Sequence, residues 1–76
     1  MKASEAVKSV MAECNITQAK LAEMSKGKWE QTNITGILNR GTSMRVSNLV
    51  EMMEMMGFEV VVRDKRDESR IIRIDG

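Results

Sequence analysis

At Gly57 the apolar periodicity of this sequence changes, and that change limits the folds open to it. Upstream, apolar residues recur at helical spacing; downstream, "FEVVVR" and "IIRI" alternate. A chain of 76 residues that holds both patterns has room for one small core. The reading is a mainly α chain forming one domain over 1–76. A body of four helices covers about 2–57, and a C-terminal β-hairpin covers about 58–75.

Ala3, Ala6, Val7, Val10, Met11 and Cys14 mark the inward face of a first helix. Asn15, which tolerates a left-handed backbone, is its expected stop. Thr17 is an N-cap residue for a second helix, "QAKLAEMSK", with Leu21 and Met24 inward and Gly27 at its end. The Glu or Gln that would complete a capping box is missing three residues later, where Lys20 stands. A third helix over about 30–39 presents Ile34, Ile37 and Leu38. After "NRGTS", a fourth presents Val46, Leu49, Val50, Met53 and Met56. The methionines of "EMMEMM" have helical spacing and fit core and dimer packing better than a pliable groove.

In the hairpin, Phe58, Val60 and Val62 share one face with Ile72 and Ile74, and "DKRDES" supplies the turn. An isolated two-stranded hairpin is barely stable in water, so this face is expected to pack on the helices. Val61 and Ile71 then point the other way and predict contact with a second subunit, a homodimer.

Composition excludes much chemistry. The sequence has no His and one Cys, which removes His-based nucleophile systems, an intrachain disulfide and the usual zinc ligand sets. No metal site, cofactor or catalytic residue is predicted. Glu51 and Glu54 share a helix face without partners for acid–base work, and solvation accounts for them. Cys14, on the apolar face of the first helix, is expected to be buried and inert. The N-terminal stretch lacks the apolar core of a signal peptide and no apolar run is long enough for a membrane span, so a cytoplasmic protein is expected. Charge is uneven along the chain. Residues 1–50 hold seven basic and four acidic side chains, a net of +3; residues 51–76 hold five and seven, a net of −2. A polyanionic partner would meet the first part.

The second and third helices are short, closely connected, and carry Ala22 one turn after Gln18, where a small side chain lets two axes approach. That is the pattern of a helix-turn-helix. "TQAKLAEMSKGKWEQTNITGILNRG" resembles the lambda-repressor-like family of Cro and phage-repressor type, also called the xenobiotic-response-element type, with the match running from Thr17 to Arg40. Members read T-Q-x-x-L-A, a glycine turn, a polar run, then an apolar residue before I-L-N-G. The wider core pattern extends from about residue 3 to 58. One departure stands out: Leu21 lies thirteen positions before Ile34, about two more than is usual in the family, and "KGKW" replaces Gly-Val.

The resemblance implies a compact helical domain that binds operator DNA as a dimer. It puts Gln31, Thr32, Asn33 and Thr35 against base edges. A Gln or Asn amide can donate to and accept from one adenine, and Thr can bond an edge or touch a thymine methyl. Gln18 would hold a phosphate at the start of the second helix. Lys26, Lys28, Asn39, Arg40 and Arg45 would clamp the backbone at both ends of the third. Trp29 stands where members bury Val or Ile behind the turn, which makes it core; the other reading lays the indole against the DNA backbone. Gly36 replaces a longer polar side chain and costs about 1 kcal/mol of helix propensity relative to Ala.

The expected function is therefore a sequence-specific transcriptional regulator, with double-stranded DNA as partner and a near-palindromic operator. Its half-sites would lie about 34 Å apart. Two alternatives share the pattern. One is an antitoxin-like protein-interaction module covering a toxin; the other is a helix-turn-helix fold that no longer binds DNA.

Overall fold

The computed structural model describes residues 2–39 and 44–75. In chain order these form α1 (Ala3–Glu13), α2 (Gln18–Met24), α3 (Gln31–Asn39), α4 (Val46–Met55), β1 (Val60–Arg63) and β2 (Ile71–Ile74). The chain is thus mainly helical, with a two-stranded antiparallel hairpin after the helices. Among the described residues, no helix is long and apolar enough to cross a membrane.

The sequence ends its helices in a consistent way. After α1, Asn15 takes φ 55°. The Asn15 amide donates to Ala12 O at 3.3 Å and the Ile16 amide to Met11 O at 2.8 Å. These two bonds close a left-handed C-terminal cap, and Ile16 folds back onto the core as its apolar partner. Gly57, at φ 87°, does the same for α4, with Gly57 N–H on Glu54 O at 3.0 Å and Phe58 N–H on Met53 O at 2.8 Å. At the start of α2 the Thr17 hydroxyl accepts from the Lys20 amide at 3.1 Å, the expected N-cap.

The core lies where the four helices meet. Val7, Val10, Met11, Leu21, Trp29, Ile34, Leu38, Met52, Met53 and Met56 form one buried cluster. α3 packs against α1 and α2, α4 packs against α1 and α2, and β1 touches α4. Trp29 belongs to this cluster, as the core reading has it.

Four expectations are corrected. Cys14 is exposed, because α1 ends at Glu13 and the cap turns the chain away before the thiol can face inward. α2 stops at Met24, before Gly27, since the left-handed residue after it is Lys26. Val46 is 57 % exposed, because the first turn of α4 overhangs the core; the buried stripe is shifted toward Met52, which is fully buried. Lastly, the face of Phe58, Val60 and Val62 packs on the helices only at its base. Val60 is half-buried against the core, while Phe58 is 41 % and Val62 53 % exposed.

The strands pair Val60 with Ile74, Val61 with Arg73, Val62 with Ile72, and Arg63 with Ile71. The turn is closed by two aspartates. Asp64 Oδ1 accepts from the Arg66 amide at 2.8 Å, and Asp67 Oδ1 from the Ser69 amide at 3.1 Å and hydroxyl at 2.6 Å. The Ser69 hydroxyl and amide hold the Asp67 carboxyl below its ordinary pKa of 3.8.

Candidate nucleic-acid interface

The longer connection between α2 and α3 is a built turn. Ser25, Lys26, Gly27 and Lys28 make a tight reversal with Lys26 at φ 54° and Gly27 at φ 90°, closed by Lys28 N–H on Ser25 O at 3.2 Å. Two consecutive positive φ angles are the mark of a type I′ turn, and Gly27 takes the second without a Cβ penalty. The Ser25 hydroxyl donates to Ala22 O at 2.6 Å and accepts from the Trp29 amide at 3.1 Å. One side chain thus closes the last turn of α2 and fixes the residue that enters the core.

Trp29 anchors the chain just ahead of α3, and the helix start is capped from inside. The Glu30 carbonyl accepts the first helical bond, from the Ile34 amide at 3.1 Å, and Asn33 Oδ1 accepts from the Glu30 amide at 3.0 Å. This is the returning half of a capping box, made by Asn in place of Glu or Gln. It orients the Asn33 amide, leaving its Nδ2 as the outward donor.

Gln31 and Thr32 are exposed at the start of α3. Thr35, one turn on from Gln31, is half-buried. Its hydroxyl hydrogen-bonds Gln18 Oε1 and lies 3.0 Å from Gln31 O. The first residue of α2 is therefore tied to the face of α3 that carries Gln31. With Oε1 taken, Gln18 keeps its Nε2 donor, and the Thr35 hydroxyl is engaged in the contact between α2 and α3.

The expected phosphate clamps fall into different situations. Lys26 is exposed at the tip of the turn. Lys28 is ion-paired to Glu51 of α4, with its Nζ 5.1 Å from the centre of the Trp29 ring. Asn39 accepts a hydrogen bond from Lys8 Nζ at 3.1 Å, which binds the end of α3 to α1. Arg45 is exposed at the N-cap of α4, without a side-chain cap. Arg40 lies outside the described residues.

Between α3 and the start of α4 runs an open groove of 530 Å³. Thr32, Asn33 and Gly36 form its α3 wall, Arg45 and Asn48 its α4 wall, and Lys28 stands at its rim. A Cβ built on Gly36 meets nothing within 4 Å, so packing does not demand glycine there. No family model, curated protein or solved structure matches this chain. The resemblance thus stands on the residues from Thr17 onward.

Sequence patterning had assigned no role to Asn48, Ser25 or the pairing of Glu51. Asn48 is three residues past Arg45, in the first turn of a helix with a weak cap, and that spacing is a readable sign. The Lys28–Glu51 pair joins residues 23 apart in sequence and had no local sign. Val61 and Ile71 share a face, as expected, but Arg73 stands opposite the one and Arg63 opposite the other.

Proposed function

We propose that this chain is a sequence-specific transcriptional regulator of the phage-repressor type, with a lambda-repressor-like body that binds a near-palindromic operator as a homodimer. The observation that carries the reading is the Gln18–Thr35 hydrogen bond. It fixes the start of α2 beside the exposed polar start of α3, the relation a helix-turn-helix needs when one helix rests on the backbone and the next enters the major groove. Gln31 then reads a base edge with its whole amide, and Thr32 and Asn33 Nδ2 add contacts beside it. Lys26, Arg45 and Gln18 Nε2 hold the flanking phosphates. The Gly36 groove lets a backbone strand approach α3 closely.

The test is selection from random duplex DNA followed by comparison of wild type with Gln31→Ala. The selected sites should form inverted half-sites, and the variant should lose about 1–3 kcal/mol of discrimination at one base pair while staying folded. Unchanged preference in the variant would overturn the site assignment.

A second reading, the same body without DNA binding, is favoured by one observation: Lys28 in the lengthened turn is neutralised by Glu51. It predicts no retained duplex after selection at low salt.

A further inference from the structure

Among the described residues ahead of the hairpin, one cation stands in an ion pair: Lys28, with Glu51 of α4. Lys26 and Arg45 carry no such partner among those residues. Lys28 is also fixed at its root. Its amide donates to Ser25 O at 3.2 Å, and the next residue, Trp29, is buried, so the freedom left to Lys28 is in its side chain. That side chain has three neighbours. They are the Glu51 carboxylate, the Trp29 ring with its centre 5.1 Å from Nζ, and the groove between α3 and α4 that Lys28 lines with Arg45 and Asn48. Glu51 follows Asn48 by about one turn of α4, so its carboxylate stands beside the groove's α4 wall. The groove's own lining is without a carboxylate among the described residues. An anion that enters it meets Arg45 unpaired and Lys28 already paired. The Lys28 and Glu51 side chains are 49 % and 43 % exposed, and a pair so open to water is weak enough to be exchanged.

We propose that Glu51 is a built-in competitor of DNA phosphate: it holds Lys28 off the backbone and keeps affinity for every duplex below what the chain's cations allow. This inference rests on the DNA-binding reading above and names a regulator of that same site. A carboxylate and a phosphodiester each carry one negative charge, and one ammonium cannot neutralise both. While Glu51 has Lys28, a strand lying in the groove gains no net charge from it and approaches a carboxylate beside Asn48. The Trp29 ring adds a second hold on the same cation. Moving Lys28 to phosphate gives up the exposed pair, which costs up to about fivefold in affinity for each copy. Phosphate contacts carry no base information, so the competition lowers affinity for preferred and unrelated sequences alike. It leaves sequence preference to the start of α3. Lys28 belongs to the lengthened α2–α3 connection, so the extra residues bring in the cation and α4 supplies its counter-ion.

The experiment measures binding at low salt to two duplexes of equal length, one carrying the selected half-sites and one with the same bases shuffled. The proteins are wild type, Glu51→Gln, Lys28→Gln and the double variant. Both side chains lie at the surface, so all four should keep the Trp29 emission of the folded chain. Glu51→Gln should tighten both duplexes by the same factor, about fivefold per copy and so about 25-fold for a dimer. Lys28→Gln should bind nearly as wild type does, because its charge is already neutralised, and the double variant should match it. Wild type that binds neither duplex overturns the DNA-binding reading and the inference with it. Wild type that binds while Glu51→Gln binds no more tightly overturns the inference alone; weaker binding by that variant would make the pair a structural tie. Equal tightening by Glu51→Gln with and without Lys28 also overturns it, since that is the general effect of removing a negative charge. So does tightening confined to the selected half-sites.

Discussion

The α2–α3 connection and the hairpin are both surface features, yet they are built in opposite ways. In the connection, polar groups are satisfied internally and the one large apolar side chain, Trp29, is buried. In the hairpin, the turn is satisfied by Asp64 and Asp67, while the aliphatic side chains of the strands are left half in water. The contrast teaches where each surface finds its partner. What α2 and α3 leave open is amide, hydroxyl and cation, suited to a polar polyanion. What the hairpin leaves open is hydrocarbon, suited to another protein surface.

The largest effect expected from breaking this contrast is at Trp29. Trp29→Ala should cost about 3–5 kcal/mol, the usual loss for a buried aromatic, read as a lower urea midpoint by far-ultraviolet dichroism. That is a large share of the stability of a domain this small. Substitutions at Val62 and Ile72 should barely move the same midpoint in dilute solution. Equal losses at the two sites would erase the distinction between a finished region and an open one.

Gly36→Ala is expected to act in two directions. Nothing lies within 4 Å of the added methyl, so α3 should gain about 1 kcal/mol in the same unfolding measurement. If the groove receives a DNA strand, affinity for the selected duplex should fall. A stabilised variant with unchanged affinity would remove the groove from the interface.

Glu51→Gln should have the smallest effect on stability. The ion pair with Lys28 is largely exposed, and such pairs contribute about 0–1 kcal/mol. Its effect on binding should be easier to see, because Lys28 regains a free charge beside α3. The slope of log affinity against log salt should steepen by about 1.8 if Lys28 of each copy in the dimer meets one phosphate.

Much of this was legible in the chain because it is decided locally. Thr17 names the start of α2, Asn15 and Gly57 name the ends of α1 and α4, and the change of period at Gly57 names the hairpin. Trp29 in the core follows from the resemblance, which puts it where members bury Val or Ile behind the turn. What escaped depends on where a distant element stops. Cys14 has the right spacing to be inside, but its helix ends one residue too early. Val62 alternates correctly with Val60, yet α4 does not extend beneath it. At the candidate interface, residue types in α3 were legible; their prior commitments were not. Asn33 caps its own helix, Thr35 holds Gln18, and Asn39 accepts from Lys8. Each uses an atom that a sequence pattern counts as available.

The most direct measurement of the central claim is a salt titration of wild-type binding to duplex DNA carrying the selected half-sites. A dimer using Lys26 and Arg45 from each copy would make about four cationic phosphate contacts, which predicts a log–log slope near −3.6. A slope of that order supports the DNA-binding surface built around α2, α3 and the start of α4. A slope near zero, or no binding at low salt by a folded protein, would contradict it.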